Sequence, residues 1–146
     1  MKIKVGVFFG GKSVEHEVSV ISGIQAMNAF NREKYDPIPI YITKENEMYT
    51  GEAIGDIKNY RNIPDLLKKS TRIFFICENG KLNLVQYPEK KFGNSAVDYI
   101  DVAFPVVHGA NVEDGSLQGF LRHYNVPLVG CDVMAAAASM DKYVMK

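Results

Sequence analysis

Residues 6–20, GVFFGGKSVEHEVSV, crowd groups able to do chemistry into one short segment: paired glycines, a lysine, a serine, a histidine and two carboxylates. Gly6, Gly11, Lys12 and Ser13 match the G-x-x-x-x-G-K-[ST] spacing of a phosphate loop, in which backbone N–H groups wrap around phosphates. The residues between the glycines argue against that use. Val7, Phe8 and Phe9 continue the rhythm of a β-strand, and a loop built from them would leave two phenylalanines without burial. Glu15 and Glu17 then fall at the first turn of the following helix, where a carboxylate suits the positive helix end but repels a polyphosphate. The segment is expected to meet a cation, and helix capping is the simpler alternative use of either carboxylate.

A second chemical segment is HGANVEDGSLQG, residues 108–119, which places His108 at an expected strand end with Glu113 and Asp114 just ahead of a helix. An imidazole beside carboxylates can hold or move charge near neutral pH. The same letters also serve turn chemistry, with Asp114-Gly115 as a tight bend and Gln118 bonding locally. His123 is expected as a surface or packing residue and His16 as facing solvent, neither with a role. The three histidines and two cysteines show no metal-ligand spacing, so no metal site is assigned to this chain.

These segments need elements to position them. Lys2 to Phe9 reads as a strand; Val20, Ile24, Met27 and Phe30 recur at helical spacing; Asn31 marks the helix end; and YDPIPIYIT reads as an edge strand or strand entry because of its prolines. In the middle, EMYTG continues a strand pair, IPDLLKKS is a short helix, and RIFFICENGKLNLV is a hairpin turning at Asn79-Gly80. YIDVAFPVVHG reads as one near-continuous strand, DGSLQGFLRHYN as a helix, VPLVG as a brief strand, and the alanine-rich end as a helix capped by Asp132 and running to Lys146. The alternation predicts an α/β fold, an open and largely parallel sheet flanked by helices with an antiparallel hairpin added. Loops leaving the carboxyl ends of such strands gather at one edge, where ligands bind. Here those loops are residues 10–13, 108–115 and 130–132.

Composition narrows the function classes. The 146 residues, 47% hydrophobic, suffice for one core and one domain. Seventeen basic residues balance seventeen acidic ones, so the uniform positive field that gathers nucleic acid or anionic membrane is missing. Cys77 and Cys131 suit reduced thiols, no stretch approaches membrane-spanning length, and the expected location is the cytoplasm.

Taken together, GGKSVEHEVSVISG, FPVVHGANVEDGSLQGFL and VPLVGCDVMAAAASMDK resemble the amino-terminal region of D-alanine:D-alanine ligases of the ATP-grasp superfamily. Residues 44–99 carry none of these motifs, and that longer middle is similar to the vancomycin-resistance ligases that join D-alanine to D-serine or D-lactate. The resemblance implies a Rossmann-like domain preceding the ATP-grasp region. It implies that a D-alanine carboxylate is phosphorylated by ATP with Mg2+, and that a second D-amino or D-hydroxy acid then attacks the acyl phosphate to give the peptidoglycan precursor. By the same resemblance Glu15 holds the ammonium of the first D-alanine and His108 positions its carboxylate. Val18 and Ser19 line or stabilise that pocket, and Glu113, Asp114 and Gln118 support the loop. Lys142 approaches ATP. A homodimer is a further implication, with the oligomeric state left open.

The chain departs from the family in having Val112 where glycine is usual before Glu113-Asp114-Gly115, which would strain a positive φ. It also lacks the length of the ATP-grasp region, so residues 1–146 are expected to be the amino-terminal substrate domain and to be inactive alone. The competing reading is a stand-alone, non-catalytic α/β binding or regulatory module.

Overall fold

The structure, a computed structural model, describes residues 1–78 and 81–146. Strand β1 (Ile3–Gly10) sends Val5, Val7 and Phe9 to one core and Phe8 to the other, all buried, as period-2 alternation requires. Burying each phenylalanine contributes about 1.5–3 kcal/mol. Gly6 therefore sits in mid-strand, and the phosphate-loop match is an accident of spelling. A Cβ on Gly6 would lie 2.7 Å from Cδ1 of Ile100, so this glycine lets another strand's side chain pass close over β1.

Helix α1 (His16–Ala29) lays Val20, Ile24 and Met27 on the Val5, Val7 and Phe9 face. It can do so because Gly23 lacks a side chain: a Cβ there would stand 2.4 Å from Cγ of Phe9. Strand β2 (Tyr35–Ile42) then runs parallel to β1 along its whole length. Contrary to the edge expectation, β2 is internal, but β3 (Met48–Thr50) pairs only with Tyr41 and Ile42. The stretch holding Pro37 and Pro39 has no ladder neighbour on that side, so their missing N–H groups leave no gap.

After two 3₁₀ turns (Glu52–Gly55 and Ile57–Arg61) and α2 (Ile63–Lys68), the chain enters β4 (Thr71–Glu78), β5 (Lys81–Gln86) and β6 (Ala96–Ile100). These continue an antiparallel meander from β3. The β4–β5 pairing is the expected hairpin, although its Asn79-Gly80 turn lies outside the described residues. Strand β7 (Val102–Pro105) lies parallel to β1 on the side away from β2, completing a seven-stranded mixed sheet in the order β6-β5-β4-β3-β2-β1-β7. The parallel core predicted from the β-α alternation is β2-β1-β7, and the antiparallel addition is a meander larger than one hairpin.

YIDVAFPVV is not one strand but two. Asp101 alone separates β6 from β7, which occupy opposite ends of the strand order, so the sheet curls until its ends meet there. The Asp101 N–H donates to the Lys4 carbonyl (2.9 Å), and its carboxylate accepts from the Lys4 N–H (2.9 Å). The Lys4 ammonium also pairs with Asp98. This polar knot breaks the apolar run.

Helix α3 (Ser116–His123) covers the second face through Leu117 and Leu121. The brief strand expected in VPLVG reduces to a single parallel bridge of Leu128 to Ala103 at the outer edge of β7. Helix α4 (Val133–Met140) starts where Asp132 accepts from the Ala135 N–H at 2.9 Å, as its cap position predicts. It stops well short of Lys146. The Asp141 carboxylate accepts from the N–H groups of Tyr143 (2.8 Å) and Val144 (3.4 Å), offering the backbone an alternative to the helix. Among the described residues no helix is long and apolar enough to cross a membrane.

Candidate functional site

Strand β1 is flanked by β2 and β7, so the sheet order reverses around it and a crevice opens beyond its carboxyl end. Two loops border that crevice, residues 11–15 ahead of α1 and residues 106–115 between β7 and α3. Ser19 and three direct contacts hold them together. Ser19 of α1 is fully buried; its Oγ accepts from the Gly10 N–H (2.8 Å) and donates to the Val106 carbonyl (2.7 Å). The Asn111 side chain donates to the Lys12 carbonyl at 3.1 Å. Gly11 lies under Val112, where a Cβ would meet Cγ1 of the valine at 2.4 Å, and Gly109 lies against Ser13.

Glu15 precedes α1 and is exposed. Capping does not explain it, because its side chain makes no cap hydrogen bond, while Ser13 Oγ receives the Glu15 N–H at 3.1 Å. Glu15 Oε2 stands 3.3 Å from the point where a Cβ on Gly109 would be, placing the carboxylate beside the residue that follows His108. The partly buried His108 reaches α1 itself, its Nε2 lying 3.1 Å from Ser22 Oγ. The carboxylate therefore lies beside the loop that carries the imidazole, at the same end of the sheet.

The other loop carboxylates have partners. Glu113 Oε2 accepts from the Gly109 N–H at 2.8 Å. Asp114 accepts from the N–H groups of Asn111 (2.8 Å) and Ser116 (3.1 Å). Hydrogen bonding to Ser116 leads in holding the Asp114 carboxyl below its ordinary range, with the bond from Asn111 adding to it. Glu17 pairs with Lys44 at 2.6 Å, which lowers its pKa likewise. Glu15 alone of these four has no hydrogen-bond or ion-pair partner for its carboxylate among the described residues. A bare carboxylate at an open cleft suits a cationic ligand.

Val112 is not strained. Positive φ falls on Gly109 (86°), Asn111 (69°) and Gly115 (96°), residue types that tolerate it, while Val112 fills the space over Gly11. Val112 is thus accommodated by one glycine–valine contact.

The remaining expected site residues differ in where they stand. Val18 is 53% exposed, on the Glu15 and Ser22 flank of α1 by helical spacing, rather than a packing residue. Ser19 stands behind the cleft, joining strands to helix. Gln118 is buried on α3 and borders a hollow with Arg122, Asn125 and Asp132; among the described residues its Oε1 has no partner, and no bond ties it to the His108 loop. Lys142 is exposed beyond α4 and makes no hydrogen bond or ion pair among the described residues.

His16 corrects the surface expectation. It is only 4% exposed, its Nδ1–H donates to the Gly11 carbonyl (2.7 Å), and its Nε2 meets the Tyr41 hydroxyl (2.9 Å). Burial pushes the Tyr41 hydroxyl pKa up to about 12, so it stays a neutral partner. These two line a hollow of about 330 Å3 on the opposite flank of α1, with Glu17, Val20, Lys44 and Tyr60. Of these groups His16, Tyr41, Glu17, Lys44 and Tyr60 already bond to protein partners.

Ser22 was missed by sequence reasoning, and Ser13 entered it only through the phosphate-loop match. Ser22 lies seven residues after Glu15, two helical turns on the same flank, a signal present in the letters.

Comparison with known proteins identifies the family. The family described as "D-ala D-ala ligase N-terminus" matches residues 4–131. The chain belongs to this family. A D-alanine–D-alanine ligase of Thermosipho melanesiensis is 41% identical over 145 residues, which is 99% of this chain and 38% of that protein. D-alanine–D-alanine ligase A of Escherichia coli is 38% identical over 152 residues, again 99% of this chain and 39% of that protein. The VanG D-Ala:D-Ser ligase of Enterococcus faecalis superposes with a TM-score of 0.77 at 32% identity, over 99% of this chain and 40% of that one. The Coxiella burnetii D-alanine–D-alanine ligase reaches a TM-score of 0.81 at 29% identity, over 98% and 39%. The chain thus spans about two-fifths of the length of the family members it matches.

Gly109 offers a direct check on the cleft. A Cβ there would stand 2.3 Å from Ser13 Oγ and 3.3 Å from Glu15 Oε2, on a backbone at φ +86°. Gly109→Ala should displace the Ser13 turn and cost about 1–3 kcal/mol of stability through the forced backbone. Thermal unfolding measures the cost, and unchanged stability would contradict the placement of the loop.

Proposed function

We propose that the chain is the amino-terminal substrate domain of an ATP-dependent D-alanine–D-alanine ligase, with Glu15 binding the first D-alanine. The observation that carries this reading is the unpartnered Glu15 carboxylate meeting the His108 loop at the sheet's crevice. The amino acid brings an ammonium and a carboxylate, and the cleft offers a counterpart to each. Glu15 takes the ammonium as a charge-assisted pair. His108 orients the carboxylate, whose oxygen must be held in line for phosphoryl transfer. Glu113 and Asp114 fix the loop that carries the imidazole, and Ser19 holds the helix against both strands.

ATP, with Mg2+, supplies the phosphoryl group. Among the described residues no group of His, Cys, Asp and Glu could hold a metal ion, so the reading assigns Mg2+ to the remaining length of the family. It gives Lys142 the ATP phosphates, as a mobile point charge on an exposed turn. The acyl phosphate is then attacked by the amine or hydroxyl of a second D-amino or D-hydroxy acid, whose choice also rests with the remaining length. The reaction takes place in the cytoplasm, where ATP and reduced thiols coexist.

The test joins this chain to the part of the Thermosipho melanesiensis relative that follows the matched segment, here termed the completed ligase. Phosphate release should require D-alanine, and the 146-residue chain alone should release none. Phosphate release indifferent to D-alanine, or a folded and soluble protein that binds no D-alanine, would contradict the reading.

A further inference from the structure

We propose that Ser22 is a positioning residue for His108: its hydroxyl donates to Nε2 and holds the imidazole in the tautomer that carries its proton on Nδ1. The cleft then receives a hydrogen-bond donor. The functional value of this arrangement rests on reading the cleft as the first-substrate site; the tautomer itself does not.

The contact joins residues far apart in sequence, with Ser22 Oγ on the second turn of α1 and His108 Nε2 on the loop after β7, 3.1 Å apart. A helical serine commonly turns its hydroxyl back to the carbonyl four residues earlier. Ser139 does so, donating to the Ala135 carbonyl. Ser22 does not: among the described residues its Oγ has His108 as its partner and makes no bond to the Val18 carbonyl. The hydroxyl proton is therefore free for Nε2.

A neutral imidazole has one N–H and one lone pair, and the bond made by one nitrogen decides what the other presents. With Nε2 accepting from Ser22, Nδ1 carries the proton. Nδ1 has no partner among the described residues and is the nitrogen left for a ligand. The opposite tautomer would leave a lone pair toward the anionic oxygens of a carboxylate or a transferring phosphoryl group. It would also leave the Ser22 proton without its acceptor. The carboxylates closest to this arrangement in the fold do not compete for the role: Glu113 is bonded to the Gly109 N–H, and Glu15 makes no bond to the ring.

Long-range proton–nitrogen NMR of the 15N-labelled 146-residue chain, at a pH where His108 is neutral, reads the tautomer directly. The expected spectrum has Nδ1 protonated and Nε2 bare. Ser22→Ala should move the ring toward the Nε2–H form, and Ser22→Thr, which keeps a hydroxyl, should hold the parental pattern. A parental spectrum with Nε2 protonated overturns the proposal without any variant, and so does a pattern unchanged by Ser22→Ala. In the completed ligase, Ser22→Ala should lower kcat about ten-fold with little change in the KM for ATP, and Ser22→Thr should restore most of it. A loss of D-alanine dependence with the tautomer intact counts against the ligase reading and leaves the role of Ser22 standing.

Discussion

Glu15→Gln in the completed ligase is expected to weaken the first D-alanine by about 2 kcal/mol, roughly thirty-fold, while the KM for ATP changes less than about two-fold. The substitution keeps the size of the side chain and one acceptor oxygen, so what it removes is charge. Charge-assisted hydrogen bonds exceed neutral ones by this amount where solvent is partly excluded. Stability should not change, because Glu15 is exposed and its carboxylate is bonded to nothing among the described residues. Steady-state kinetics in each substrate, together with a thermal melt, separates the outcomes. An equal loss for D-alanine and ATP, or a lowered melting temperature, would mean that Glu15 supports the fold instead.

Ser19→Ala should produce the largest structural effect of a single small substitution near the site. Ser19 is fully buried, and its hydroxyl satisfies both the Gly10 N–H and the Val106 carbonyl. Alanine leaves both groups without a partner in a place that water does not reach, at about 1–3 kcal/mol each. A loss of about 3 kcal/mol lowers the melting temperature by about 6–12 °C in a domain of this size. The loss should fall on the joint that aligns Glu15 with His108, so affinity for D-alanine falls as well. Calorimetry checks the first effect, and an unchanged melting temperature would show that the hydroxyl is not the clamp described.

Much of the architecture was legible because periodicity and position carry it. Val7, Phe8 and Phe9 declared a strand, which is incompatible with a phosphate loop, and the β-α-β opening implied the parallel core. The meander was less legible, since β3 is three residues long and its pairing depends on the turn at residues 43–47. The break at Asp101 was hidden because a carboxylate inside an apolar run gives no sign that Lys4, far away in sequence, will bind its backbone and side chain. The curl of the sheet depends on Gly6 passing under Ile100, a long-range fit that local propensity does not encode.

The site divides along the same line. Glu15 and His108 stood out in loops expected to meet at one sheet edge, and the resemblance to the ligases suggested their roles. His16 was misplaced because burial of a histidine becomes affordable only once the Gly11 carbonyl and the Tyr41 hydroxyl satisfy it, and Tyr41 belongs to another strand. Gln118 was assigned to the loop by the family resemblance, whereas the rotation of α3 turns it to the hollow beside Asp132. Ser22 was overlooked because its partner is a loop residue whose distance from α1 only the packed sheet determines.

The central claim is that one D-alanine occupies the cleft between Glu15 and His108, and a crystal structure of the completed ligase with D-alanine bound tests it most directly. The account predicts the ammonium within hydrogen-bond distance of the Glu15 carboxylate and the substrate carboxylate beside the His108 ring. D-Alanine seated elsewhere, with Glu15 facing only solvent, would contradict it.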